Sequence, residues 1–133
     1  MLLRIYSSMA LKDNIQGSES YFIVEIKSLK RILDAVNQDK TPVLCFVDEV
    51  LRGTNTVERI AASSRILQSF ADSGVMCFAA THDIELTHML EHLYSNYHFK
   101  EDVKDNDVIF NYRSVRGTCR IKKRNQAFRC SWL

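Results

Sequence analysis

Residues 43–55, with the sequence VLCFVDEVLRGTN, decide the fold: five apolar residues precede two adjacent carboxylates and a polar turn containing glycine. Such a run is typical of a buried strand in a parallel sheet, which here ends by presenting Asp48 and Glu49 at its carboxyl edge. Proteins with α/β folds bind ligands at that edge. One carboxylate can hold Mg²⁺ there while the other activates water, so the segment predicts a nucleotide-hydrolysing site.

Helical patterns flank this strand on both sides. The stripe before it has helical spacing over about four turns and comprises Phe22, Ile26, Leu29, Leu33 and Val36. After the strand, Asn55 and Glu58 have the spacing of a capping box. A second helical face follows, made of Val57, Ile60, Ala61, Ser64, Leu67 and Ala71. Gly74 is expected to end this second helix.

A second apolar run, residues 75–81, repeats the plan of the first and ends in Thr81-His82-Asp83. Strand, helix and strand at this spacing predict a βαβ unit whose two parallel strands present their polar ends at one edge. A short helix capped by Asp83 is expected next. Alternating residues on both sides of a polar turn at 105–107 then predict a C-terminal β-hairpin. The expected fold class is α/β.

Length and composition indicate one soluble globular domain of 133 residues, with 46% hydrophobic and 26% charged residues. The longest apolar runs are far below the roughly 18 residues that a membrane helix needs, so a cytoplasmic protein without a membrane segment is expected. Four cysteines, at 45, 77, 119 and 130, form no Cys-x-x-Cys pair. Buried, inert thiols are the expectation for them.

Basic charge is concentrated at the C-terminus. Residues 113–133 carry seven basic and no acidic side chains, which leaves 11 basic and 16 acidic ones among the first 112 residues. The tail shows neither helical nor strand periodicity, so a solvated end is the main interpretation. Contact with phosphate backbones is the alternative.

The acidic strand end does not stand alone, since two further motifs follow it in order. They are RGTNT at residues 52–56 and ATHD at residues 80–83. Together the three resemble the ATPase domain of the MutS family, the DNA mismatch-recognition branch of the ABC-type P-loop ATPases. The resemblance covers residues 1–117 and leaves 118–133 as a divergent basic tail.

This resemblance implies ATP and Mg²⁺ as cofactors and gives individual residues a role. Asp48 corresponds to the Walker B aspartate that supports Mg²⁺, and Glu49 to the residue that activates water. His82 corresponds to the switch histidine that hydrogen-bonds the γ-phosphate. Ser20, in a signature loop at residues 17–22, would reach the γ-phosphate in the partner subunit. Asn55, in the D-loop at the dimer interface, would bind the nucleotide.

The sequence contains no Gly-x-x-x-x-Gly-Lys-[Ser/Thr] phosphate loop. It therefore resembles the second half of a P-loop ATPase domain, and a truncated fragment is expected. The implied partners are a MutS-like ATPase subunit or the missing N-terminal half, joined across the ATP site, and DNA. Residues 48–56 read DEVLRGTNT instead of the DExGRGTST of the repair enzymes. This motif sequence is closer to that of short bacterial MutS-like proteins.

Two other interpretations stay open at this point. The chain could be a non-catalytic remnant that docks on a complete ATPase through residues 17–22 and 52–56. The pattern His88-x-x-Glu91-His92 also matches that of inverted zinc metallopeptidases. Two histidines four residues apart on a helix could bind Zn²⁺ from one face, together with a third protein ligand.

Overall fold

The computed structural model describes residues 2–9, 21–38, 40–51, 54–104 and 107–118, and the side chains of 101–108 are not described. The chain forms two compact units, Met1–Thr81 and His82–Leu133. None of the helices in the described ranges is long and apolar enough to cross a membrane.

The first unit contains a three-stranded parallel sheet and two helices. Its elements follow the chain as β1 (Arg4–Ser8), α1 (Tyr21–Gln38), β2 (Val43–Asp48), α2 (Thr56–Asp72) and β3 (Met76–Ala80). The strand order is β1-β2-β3, so the acidic strand is central. Arg4 lies opposite Val43, and Asp48 lies opposite Ala80. The predicted βαβ unit is confirmed, and β1 adds a second one before it.

Both helices cover the same face of the sheet. In β2 the side chains of Val43, Cys45 and Val47 are buried, whereas those between them are not. The two helices also contact each other. Because successive strand residues point to opposite faces, this alternation means that, within the described residues, the helices pack on one face only.

The buried helical faces differ from the predicted ones. On α1 the buried residues are Glu25, Leu29, Ile32 and Ala35, and on α2 they are Ser63, Leu67 and Phe70. Of the predicted stripes only Leu29 and Leu67 are buried, and Val57 is 78% exposed. The predicted faces are therefore rotated from the observed ones. On α2 the inward face is the one that carries the large apolar side chains of Leu67 and Phe70, and Ser63 lies on that face with its hydroxyl 3.5 Å from the Val50 carbonyl.

Helix α2 ends in a Schellman motif built on Gly74. The Gly74 N–H donates to the Ala71 carbonyl at 3.1 Å, and the Val75 N–H donates to the Phe70 carbonyl at 2.9 Å. Gly74 has φ +73°, which glycine adopts without a Cβ penalty. The predicted terminator is confirmed, and the motif delivers the chain directly into β3.

Cys45 and Cys77 lie opposite each other on β2 and β3. A hydrogen bond with Cys77 lowers the pKa of the Cys45 thiol, while burial acts in the opposite direction. Cys45 is buried and Cys77 is half-buried, and neither is in a disulfide. The predicted burial is confirmed for Cys45, whereas Cys119 and Cys130 lie outside the described residues.

The second unit contains a short helix and a hairpin. Its elements are α3 (Ile84–Met89), β4 (Tyr97–Lys104) and β5 (Asp107–Arg116), and the two strands are antiparallel. The Gly117 N–H donates to the Asn96 carbonyl at 2.8 Å and closes the open end of the hairpin. Asp83 stands at the N-cap of α3, but its side chain makes no capping hydrogen bond. The predicted hairpin is confirmed, and its turn at residues 105 and 106 lies outside the described ranges.

Candidate functional site at the acidic end of β2

The two predicted carboxylates lie at the carboxyl edge of the central strand. Asp48 is the last residue of β2, and its side chain is exposed. The Glu49 N–H donates to the Ala80 carbonyl at 3.0 Å, so the pairing of β2 with β3 continues one residue beyond the strand. Glu49 is half-buried. The backbone of both residues is thereby fixed by the sheet.

The turn that follows has an unusual backbone. Glu49 has φ +52° and Leu51 has φ +58°, both in the left-handed region. This conformation costs a residue with a Cβ atom about 1–2 kcal/mol. Burial holds the turn in place, because Val50 is 5% and Leu51 0% exposed, and Ser63 hydrogen-bonds the Val50 carbonyl. The backbone conformation of the turn at Glu49 is therefore supported by the buried residues that follow it.

Asn55 caps helix α2 as the sequence predicts. Its side-chain oxygen accepts the Glu58 N–H at 2.9 Å, and its carbonyl accepts the Arg59 N–H at 2.9 Å. The Thr54 hydroxyl donates to the Glu58 carboxylate at 2.6 Å. This bond is the main cause that lowers the pKa of Glu58, and a hydrogen bond with Asn55 lowers it further. Asn55 thus has a structural task at the position where the resemblance implies nucleotide binding.

Replacing Asn55 with alanine is expected to lower the free energy of unfolding by about 1 kcal/mol, since the Glu58 N–H loses its acceptor. Asn55→Ser keeps a capping oxygen and should stay close to the parent chain. Urea denaturation without nucleotide measures both variants. Equal stability of the alanine and serine variants would show that the cap contributes nothing.

Of the other predicted site residues, His82 is described by the structure and Ser20 is not. His82 begins the second unit and follows Thr81 directly, and its side chain is exposed. Ser20 lies outside the described residues, as do the rest of the signature loop before Tyr21 and the D-loop residues Arg52 and Gly53. The structure therefore brings Asp48 and Glu49 together at one strand end, and the other assignments stay predictions.

The carboxylates at the end of β2 suit a Mg²⁺ ion whose other ligands are waters and phosphate oxygens. In the described part of the chain, no three His, Cys, Asp or Glu side chains are grouped as metal ligands. Mg²⁺ in phosphoryl-transfer sites is commonly held by one or two carboxylates, with waters and substrate phosphates completing its shell. Asp48 fits that role, because an exposed carboxylate at the sheet edge is accessible to a metal–phosphate complex.

The zinc alternative loses its geometric basis. Helix α3 ends at Met89, so His92 is not on it and no helical face carries both histidines. The His88 Nδ1 atom lies 3.8 Å from the Glu91 Oε2 atom, and both side chains are more than 60% exposed. An exposed pair of this kind does not form a zinc site.

The family model described as MutS domain V matches residues 1–125. The chain is 32% identical over 120 residues to "DNA mismatch repair protein MutS 2" of Haloarcula marismortui. The aligned region covers 88% of this chain and 12% of that protein. The chain is also 33% identical over 122 residues to "DNA mismatch repair protein MutS" of Caldicellulosiruptor saccharolyticus and of Caldicellulosiruptor bescii, covering 87% of this chain and 14% of each relative. The chain thus spans about an eighth of the length of these relatives. It belongs to the MutS domain V family.

Proposed function

We propose that this chain supplies the metal-supporting and water-activating part of an ATP-hydrolysing module in a MutS-like mismatch repair protein. The observation that carries the proposal is the placement of Glu49. It follows Asp48 directly at the carboxyl edge of the sheet, on a left-handed turn that buried Val50 and Leu51 hold in place. Phosphoryl transfer depends mainly on positioning and electrostatics, so a carboxylate fixed in this way suits the task.

Asp48 and Glu49 have different tasks in this mechanism. Asp48 would support Mg²⁺, which neutralises charge on the phosphate oxygens when it is bound. Glu49 accepts a proton from the attacking water at its carboxylate oxygen, as a general base does. Their consecutive positions at one strand end keep the two functions separate yet close. The half-buried Glu49 is better shielded from solvent than the exposed Asp48.

Three further roles belong to the proposal through the resemblance of the motifs. His82 would donate a hydrogen bond to the γ-phosphate, and Ser20 would do so across a subunit interface. Asn55 would bind the nucleotide with the amide nitrogen, since its oxygen caps α2. The ATPase part would comprise residues 1–117, with 118–133 as a basic tail. The partners would be a MutS-like subunit and DNA, in the cytoplasm.

The phosphate-binding part of the module has to come from outside these 133 residues. The sequence has four glycines, and none of them belongs to a phosphate loop of the Gly-x-x-x-x-Gly-Lys type. Without the successive N–H groups of such a loop, the triphosphate has no cradle here. The module would therefore be a partial P-loop ATPase domain that a second chain, or another part of a longer one, completes.

Reconstitution tests this proposal. Phosphate release from Mg-ATP is measured for the 133-residue chain alone, for a MutS-family ATPase segment that carries the phosphate loop, and for their mixture. Turnover is expected only in the mixture, because each part lacks groups that the other provides. A stable complex without turnover would contradict the proposal.

A stable complex without turnover would favour the non-catalytic interpretation. The observation that supports this interpretation is the lack of a phosphate loop in the sequence. A docking fragment would bind a complete ATPase, and the turnover of that ATPase would not depend on Glu49 of this chain. The mixture experiment separates the two, because a docking fragment forms the complex and leaves phosphate release at the level of its partner alone.

A further inference from the structure

Two cysteines face each other across two neighbouring strands of the sheet. Cys45 of β2 and Cys77 of β3 are register partners, so their side chains leave the same face of the sheet side by side. The Cys77 thiol hydrogen-bonds the Cys45 sulfur, and neither residue is in a disulfide. Because this contact is made between two paired strands of the first unit, it does not depend on what else packs against the sheet.

The spacing of these strands allows a covalent bond between the two sulfur atoms. Neighbouring strands in a sheet lie about 4.8 Å apart. Disulfides join residues whose Cα atoms are about 4.4–6.8 Å apart. The hydrogen bond already holds the two sulfur atoms in contact. The bond therefore requires side-chain rotation and a small approach of the two residues, but no change in the register of β2 and β3.

The two thiols differ in acidity and in access. The hydrogen bond from Cys77 lowers the pKa of the Cys45 thiol, whereas burial, the smaller effect, raises it. A lowered pKa means a larger thiolate fraction, and the thiolate is the form that attacks a disulfide. Cys45 is completely buried, and Cys77 is the more accessible of the two. The predicted inertness would hold for Cys45 by itself, but Cys77 gives it a neighbour that a small reagent can reach.

We propose that Cys45 and Cys77 form a reversible intrachain disulfide by exchange with low-molecular-weight disulfides such as glutathione disulfide. Cys77 loses its proton to solvent, and its thiolate attacks one sulfur of the small disulfide, whose S–S bond breaks and releases one thiolate. The Cys45 thiolate then attacks the Cys77 sulfur of this mixed disulfide and displaces the second small thiolate. Together these steps oxidise the two cysteines by two electrons and reduce the small disulfide to two thiols, which take up the two protons.

Peptide mapping of the full chain after incubation with glutathione disulfide tests this proposal. Free thiols are alkylated before tryptic digestion, and mass spectrometry identifies the linked peptides. We expect a link between residues 41–52 and 66–100, which contain Cys45 and Cys77, and we expect dithiothreitol to remove it. Absence of this link in the folded chain would overturn the proposal.

Cys119 and Cys130 provide an internal comparison. In the folded chain, the link between Cys45 and Cys77 should exceed any link of either residue to Cys119 or Cys130 by at least about tenfold, because proximity raises the effective concentration of the partner thiol. In urea this preference should largely disappear, since the strand register is lost and loop closure depends only weakly on loop length. An equal preference in both conditions would show that the sheet does not direct the pairing, and it would overturn the proposal.

Two serine variants resolve the order of the steps. Cys45→Ser should stop the reaction at a single glutathione adduct on Cys77, because the displacing thiol is missing. Cys77→Ser should leave Cys45 unmodified, since the buried thiol has lost its accessible neighbour. Circular dichroism establishes that both variants are folded, and a glutathione adduct on Cys45 of folded Cys77→Ser would contradict the assigned roles. The reaction needs no nucleotide, so its outcome is separate from that of the ATPase proposal.

Discussion

Replacing Glu49 with glutamine is expected to lower ATP turnover of the reconstituted module by about 10²- to 10⁴-fold. Glutamine has nearly the same shape as glutamate but cannot accept the proton of the attacking water. The change should appear in kcat, with a small effect on the KM for Mg-ATP, because the residue acts on water and not on the nucleotide. Single-turnover phosphate release measures the chemical step directly.

The structure provides a matched control for this variant. Glu91 is an exposed glutamate of the second unit, so Glu91→Gln makes the same chemical change at a residue that has no assigned role in hydrolysis. It should leave turnover and stability unaffected. Glu49→Gln should also fold normally, since the backbone N–H that pairs with Ala80 is retained. If Glu49→Gln and Glu91→Gln hydrolyse ATP equally fast, the role assigned to Glu49 is wrong.

Local signals in the sequence account for the parts of the fold that were predicted. The apolar run that ends at Asp48 defines β2, the spacing of Asn55 and Glu58 defines the start of α2, and Gly74 defines its end. Each depends on residues within a few positions of one another. Strand periodicity and turn chemistry act over the same short range, which is why the C-terminal hairpin was predictable as well.

The features that escaped prediction depend on tertiary packing. The inward face of α2 carries Leu67 and Phe70 together with Ser63, whose hydroxyl lies near the Val50 carbonyl only in the folded chain. In the part of the chain that the structure describes, both helices lie on one face of the sheet, and residue spacing within a single element carries no information about that. The proposed site is incomplete because the sequence contains no phosphate loop of the Gly-x-x-x-x-Gly-Lys type.

The backbone conformation of Leu51 is a further feature that local sequence does not predict. Its position corresponds to the glycine of the DExGRGTST sequence, and its φ of +58° is one that glycine adopts at no steric cost. A leucine there carries strain, but its side chain is completely buried. Nothing in local propensity predicts a left-handed leucine. The burial of its side chain compensates for the backbone conformation, and the turn that carries Glu49 depends on both.

Truncating Leu51 is therefore expected to have the largest effect on stability among the site variants. Leu51→Ala should lower the free energy of unfolding by about 2–5 kcal/mol, because it removes buried methyl groups and keeps the strained Cβ atom. Leu51→Gly loses the same contacts but relieves the left-handed strain. We expect it to be as stable as Leu51→Ala or more stable by up to about 1 kcal/mol. Urea denaturation of both variants measures the difference.

Leu67 provides the comparison that isolates the backbone effect. It is 3% exposed and lies in the middle of α2, where φ is negative and glycine has its usual disadvantage. Leu67→Gly should be about 1 kcal/mol less stable than Leu67→Ala. The order of the glycine and alanine variants is thus expected to be reversed at Leu51, although both leucines are core residues. If glycine is the worse replacement at both positions, Leu51 stores no strain, and side-chain packing alone holds the turn that positions Glu49.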